Sequence, residues 1–276
     1  MRTFTADGLL FDVSDDGPSD GRVVVALHGF PEDRHCWRSI AGRLVGEGYR
    51  VLAPDQRGYS AGARPRGRRS YTVDRLAGDV LALADTAGAR RFDLIGHDWG
   101  AAVAWELAAR HPERVRSLAA LSVPHPGALG EAMRHGGQLR RSWYMLAFQV
   151  PAVPETVLRL AGPDRAARAL ERDGLDGEAA RRYGARMASP AAVGPAINWY
   201  RAVPLRLRHP TPAVRVPVLY MWGDRDRYVT RDAAERNARY VEGAYRFEVL
   251  EGASHWLPTA AADRVWPALV AHLDQP

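Results

Sequence analysis

The 276-residue chain is 46 % hydrophobic and 9 % aromatic, enough apolar material for a large core, which excludes general disorder and suits one big α/β domain or a domain with an insertion. Its net charge is +6, yet all 38 basic side chains are Arg and are spread along the chain, which argues for codon bias in a GC-rich bacterium and against a nucleic-acid partner. Cys36 is the sole cysteine, which excludes an intramolecular disulfide, and no apolar run approaches the ~18 residues of a membrane span, so a cytoplasmic protein with no membrane partner is expected.

Residues 3–6 and 9–14 read as strands around a tight turn at Asp7-Gly8. The β-branched run 22–27 has the unbroken apolar character of a central parallel strand and ends at His28-Gly29-Phe30-Pro31. A helix over 36–47 stops at Gly48, a strand over 49–53 leads into Pro54-Asp55-Gln56-Arg57-Gly58, and a helix spans 71–87. Between them the basic run from Arg64 to Arg69 falls in a Pro/Gly loop and reads as solvated surface. A strand over 92–95, a glycine-flanked turn, a helix over 101–110 closed by Pro112, and a strand over 116–123 follow. This alternation of strand and helix is the pattern of a doubly wound parallel sheet.

After Pro124-His125-Pro126 no β run is convincing until residue 216. Helical segments over 127–208 are broken by Pro151, Pro154, Gly162-Pro163, Gly174, Gly177, Pro190 and Pro195, which reads as a helical insertion. The sheet resumes with a strand over 216–222, then a helix near 232–241, a strand over 245–250 and a final helix over 260–273. The expected layout is a discontinuous core of residues 1–126 and 214–276 with a helical lid over 127–213.

The chemistry is expected at Gly96-His97-Asp98-Trp99-Gly100. Glycines two residues either side of a central residue, between a strand and an Ala-rich helix, spell the tight turn called a nucleophile elbow. The central residue of such turns is usually Ser, which serves acyl transfer; here it is Asp98. A carboxylate just ahead of a helix can be no more than its N-cap. As a nucleophile it would attack a saturated carbon without first losing a proton and form an ester. Water must then cleave that ester, and water needs a general base. His255 follows the last strand and so falls at the carboxyl edge of the sheet. A carboxylate usually orients such a base. Asp224 and Asp226 both follow the preceding strand; Asp224 suits a turn, and Asp226 is favoured. The chain order nucleophile, acid, histidine is that of the Gly-x-Ser-x-Gly hydrolases. The backbone amides of Phe30 and Trp99 could form an oxyanion hole. His28 and His97 read as structural. His35 and Cys36 lack further ligand spacing, so no metal and no cofactor are assigned.

With these residues in place, the chain resembles the α/β-hydrolase epoxide hydrolases over almost its whole length. His28-Gly29-Phe30-Pro31-Glu32 with Trp37, Asp55-Gln56-Arg57-Gly58-Tyr59-Ser60, and Gly96-His97-Asp98-Trp99-Gly100 are similar to that family's core motifs. The resemblance implies an α/β-hydrolase fold, a mostly parallel doubly wound sheet with an inserted helical lid. It also implies two lid tyrosines that bind the epoxide oxygen: Tyr144 in Trp143-Tyr144-Met145-Leu146-Ala147-Phe148-Gln149, and Tyr200 in Asn198-Trp199-Tyr200-Arg201. A phenol of pKa ~10 suits that task, because it can hydrogen-bond the ring oxygen and protonate the alkoxide as the ring opens. Met145, Phe148, Ile197 and Trp199 flank these tyrosines and Trp256 adjoins His255, so all five are expected to line an apolar pocket. One departure stands in the lid, where Ala152 follows Pro151 and relatives usually carry Gly.

The implied reaction takes an epoxide and water to a vicinal diol through a hydroxyalkyl ester on Asp98, in a monomer or homodimer. Two readings compete. Haloalkane dehalogenases share the Asp-Trp pair but typically carry Asn where Phe30 stands, and fluoroacetate dehalogenases place Arg where Trp99 stands. A non-catalytic small-molecule binder on the same fold would be favoured by loss of a triad member or a lid tyrosine, and all are present.

Overall fold

The computed structural model describes residues 1–206 and 209–274. An eight-stranded sheet forms its centre: β1 (Thr3–Ala6), β2 (Leu9–Asp16), β3 (Val23–Leu27), β4 (Arg50–Pro54), β5 (Phe92–His97), β6 (Val115–Leu121), β7 (Val218–Gly223) and β8 (Tyr245–Leu250). The spatial order is β1-β2-β4-β3-β5-β6-β7-β8, with β2 antiparallel to β1 and β4 and the remaining pairs parallel.

The described helices are α1 (Arg38–Gly46), α2 (Val73–Thr86), α3 (Trp99–Arg110), α4 (Pro126–His135), α5 (Gln138–Arg141), α6 (Trp143–Ala147), α7 (Val153–Arg172), α8 (Gly177–Ala188), α9 (Pro190–Ala202), α10 (Arg231–Glu235), α11 (Leu257–Ala260) and α12 (Ala262–Leu273). Strands β3, β5 and β7 are buried along their whole length because helices cover both faces of the sheet. The two-residue side-chain period sorts the core. Val25 and Leu94 pack with Leu76, Leu83 and Leu107 of α2 and α3, whereas Val24 and Ile95 pack with Ile40, Leu44, Val265 and Leu269 of α1 and α12. This is the mostly parallel, doubly wound sheet expected from the strand and helix alternation.

Helices α4 to α9 are inserted between β6 and β7. The first of them, α4, packs against α10 and the 3-10 turn Arg236–Tyr240, where Glu131 meets Arg236 at 2.6 Å and Arg239 at 2.5 Å. It therefore stays with the core. The helix expected near 232–241 is in fact the short α10 followed by that 3-10 turn, in which buried Asn237 accepts the His125 amide at 2.6 Å. Helix α7 kinks at Gly162 (φ 76°, ψ 165°), just ahead of Pro163. Ala152, at the entry to α7, sits in the left-handed region with φ 62°. The Arg201 guanidinium spans this turn, donating to the carbonyls of Phe148 and Val150, both at 2.9 Å, and pairing with Glu155. Among the described residues no helix is long and apolar enough to cross a membrane.

Candidate active site

The elbow forms because its flanks have no room for side chains. A Cβ on Gly96 would lie 2.5 Å from the Gly100 carbonyl oxygen, and one on Gly100 would lie 2.0 Å from that of Leu27. Between them Asp98 adopts φ 51° and ψ −119°, a conformation costing ~1–3 kcal/mol that persists only when its surroundings impose it. Its carboxylate does not cap α3. Instead Oδ1 accepts the Phe30 amide at 2.7 Å, and Oδ2 lies 3.5 Å from His255 Nε2. Gly29 makes this approach possible, since a Cβ there would stand 2.4 Å from Asp98 Oδ1. Trp99 heads α3, so its amide has no preceding turn to bond and is free for a ligand.

His255 turns Nδ1 to Asp226 Oδ2 at 2.7 Å. Asp226 Oδ1 accepts the amides of Tyr228 and Val229 at 2.7 and 2.9 Å, which fixes the carboxylate, while Asp224 is exposed and accepts the Gly252 amide. The His255 carbonyl is held by Ser122 Oγ at 2.6 Å and His97 Nε2 at 2.9 Å. His97 Nδ1 meets Glu32 Oε2 at 2.7 Å, and the same oxygen takes the Gly29 amide at 3.0 Å. His97 thus ties the loop after β3 to the histidine loop. His28 uses Nδ1 on the Gly29 carbonyl and accepts the Gln56 amide on Nε2, and burial pushes its pKa down, as suits a neutral structural imidazole.

Burial alone would raise the Asp98 carboxyl, but the adjoining His255, with His97 and the Phe30 amide, holds it below the ordinary carboxylate value. Burial would likewise favour neutral His255, yet Asp226 and Asp98, one on each nitrogen, raise its pKa well above the usual value. Both shifts favour the carboxylate–imidazolium form of the pair.

A cavity of about 520 Å³ lies above Asp98 and His255, bordered by Phe30, Tyr144, Phe148, Tyr200 and Trp256 among others. A second lobe of about 70 Å³, bordered by Trp99 and Met145, shares Asp98, Tyr144, Tyr200 and Tyr228 with it, so these four residues stand where the lobes meet. Tyr144 and Tyr200 have ring centroids 5.8 Å apart, and Tyr200 stands edge-on to Phe30 and Trp99. Burial pushes both phenols up, so they remain neutral donors.

Ile197 and Trp199, expected on the pocket wall, border neither lobe. Helix α9 is buried on several sides, so adjacency to Tyr200 in sequence does not place a side chain on the cavity. Trp199 instead donates its indole N–H to the Arg57 carbonyl at 2.8 Å and fills the seam beside Tyr59 and Trp99. The sequence reading missed Tyr228, which borders both lobes with its ring 4.8 Å from that of His255; its only signal was its place two residues after Asp226. It also missed Arg140, Arg141, Asp173 and Arg227 on the wall of the large lobe.

Residues 22–258 match the family model described as alpha/beta hydrolase fold. The AB hydrolase superfamily protein YfhM of Bacillus subtilis is 36 % identical over 91 % of this chain and 90 % of its own length. Epoxide hydrolase A of Mycobacterium tuberculosis is 33 % identical, covering 99 % of this chain and 96 % of its own. The crystal structure of epoxide hydrolase A from Mycobacterium thermoresistibile superposes with a TM-score of 0.85 at 29 % identity, over 99 % of this chain and 97 % of that one. Fold and site thus define an α/β hydrolase. Within that class the chain belongs to the epoxide hydrolase family.

Proposed function

We propose that the protein converts an epoxide and water to a vicinal diol through a covalent hydroxyalkyl ester on Asp98. The observation that carries this reading is the pair of phenols, half-buried Tyr144 and buried Tyr200, on the same cavity as the Asp98 carboxylate. A carboxylate facing two neutral hydroxyl donors suits an electrophile whose leaving group is an oxygen that stays attached to the substrate.

In the first step the ring oxygen accepts hydrogen bonds from Tyr144 and Tyr200 while Asp98 attacks a ring carbon from the opposite side. The new C–O bond to Asp98 forms as the ring C–O bond breaks, and a phenol protonates the emerging alkoxide. Esterification neutralises one of the two carboxylates that hold the proton on His255. That proton can replace the one given to the alkoxide, which leaves His255 as a neutral base. In the second step His255, oriented by Asp226, takes a proton from water as the water oxygen attacks the ester carbonyl carbon. The oxyanion forms against the amides of Phe30 and Trp99, each worth ~3 kcal/mol in such a hole. Its collapse breaks the acyl–oxygen bond, the diol oxygen takes the proton from His255, and the second water proton, left on the Asp98 carboxyl, passes to His255, which restores the carboxylate and the imidazolium. In this reading the helices over 127–213, apart from α4 against the core, act as the lid.

The test incubates the purified protein with styrene oxide and, separately, with a chloroalkane. Diol formation without halide release is expected. Halide release without diol would favour a dehalogenase, and tight binding of epoxides with no turnover would favour a binding protein.

A further inference from the structure

The large lobe carries charge that the reaction above does not use. Arg140, Arg141 and Arg227 border it, and apart from Asp98 its wall contains one carboxylate, Asp173. Asp173 is engaged on both oxygens: Arg227 Nε lies 3.4 Å from Oδ1, and the Trp256 indole N–H donates to Oδ2 at 3.1 Å. Arg141 donates to the carbonyls of Asp226 and Val229, and no carboxylate among the described residues neutralises it. Arg140 differs from both. Among the described residues its guanidinium has neither a hydrogen-bond acceptor nor an ion-pair partner, although it borders the cavity four residues ahead of Tyr144.

Phe148, Leu170 and Met187 give the same lobe apolar surface. A molecule that fits the lobe therefore has an epoxide at Asp98 and the tyrosines, a hydrocarbon body, and an end beside an uncommitted guanidinium. We propose that Arg140 forms an anion subsite, and that the enzyme prefers epoxides carrying a carboxylate remote from the ring. A guanidinium presents a planar fork of donors that matches a carboxylate's two oxygens. Arg141 and Arg227 add positive potential around that point. Because Arg140 is exposed, the preference should be modest and sensitive to salt. The inference rests on the epoxide-hydrolase reading and names the substrate class for the same site.

The test compares kcat/KM for a terminal epoxide whose alkyl chain ends in a carboxylate with kcat/KM for its methyl ester. Wild type should favour the acid by about tenfold, expressed mainly in KM, because the contact is the same in ground and transition states. The acid-to-ester ratio should fall to near one in Arg140→Ala, invert in Arg140→Glu, and shrink as NaCl rises from about 20 to about 500 mM. The ratio is internal to each preparation, so partial unfolding does not imitate the result. Equal turnover of acid and ester by wild type, or a ratio that survives Arg140→Ala, would overturn the anion subsite while leaving the epoxide reading intact. Inertness toward acid, ester and styrene oxide alike would overturn both.

Discussion

His255 Nε2 lies 3.5 Å from Asp98 Oδ2, with both side chains buried and the other imidazole nitrogen on Asp226. The two carboxylates raise the imidazole pKa well above its usual value; on the proposed covalent route, the base for ester cleavage becomes available once Asp98 is esterified. His255→Gln should therefore form the ester and stall. Intact-protein mass should rise by one substrate, and kcat should fall by about 10³-fold or more. In wild type, single-turnover ester formation should be flat across neutral pH, while ester hydrolysis should slow as falling pH reprotonates the imidazole that esterification left neutral. Steady turnover by His255→Gln without an accumulated adduct would contradict this order of events.

Tyr144 and Tyr200 are assigned to the ring oxygen, so their removal should act on the first step. Each Tyr→Phe change should slow ester formation by about 10–10²-fold, and the double change by about 10³-fold or more, with ester hydrolysis little altered. Pre-steady-state tryptophan fluorescence can separate the two steps, since Trp99 adjoins Tyr200 with ring centroids 4.9 Å apart. A double variant that forms the ester at the wild-type rate would remove the tyrosines from the mechanism.

Ala152 offers a test of stability rather than chemistry. With φ 62°, it occupies a conformation that L-residues adopt at a cost and glycine adopts freely. Ala152→Gly should stabilise the protein by about 1 kcal/mol and raise Tm by about 2–4 °C, measured by calorimetry. Unchanged or lower stability would mean that the Arg201 clamp on Phe148, Val150 and Glu155 already fixes the turn at no net cost.

His272 gives the pH dependence a sign. It is buried in α12, its Nε2 has no partner among the described residues, and burial lowers its pKa from 6.5 to about 4. A depressed folded-state pKa means that the unfolded chain binds the proton more readily. The contribution of neutral His272 is therefore present above pH 6.5 and is lost as pH falls toward 4. Relative to wild type, His272→Leu should gain about 2–3 kcal/mol between pH 7 and pH 4.5. Denaturant titrations at the two pH values measure it, and a difference independent of pH would rule the effect out.

The sheet was legible in the sequence because buried parallel strands are β-branched runs, as at Val23-Val24-Val25, and because two glycines around Asp98 have no other use at a strand end. Asp226 and His255 were legible from their places after successive strands. The lid was less so. Tyr144 and Tyr200 resemble ordinary amphipathic residues, and only the likeness to a family singled them out. Ile197 and Trp199 were misplaced because a helix buried on several sides does not reveal which apolar side chain faces a cavity. Tyr228 sits in a loop with no periodicity, and Arg140 is one Arg in a chain where every basic residue is Arg. The helix expected over 232–241 instead passes from α10 into the 3-10 turn at Arg236, which sets buried Asn237 against the His125 amide.

The central claim is that Asp98 is the covalent nucleophile, and isotope transfer tests it most directly. In a single turnover in ¹⁸O-water with enzyme in excess, water attacks the ester carbonyl, so the label should appear in the Asp98 carboxylate and be absent from the first diol released. Label in that diol with none in Asp98 would contradict the covalent route and make water the direct nucleophile.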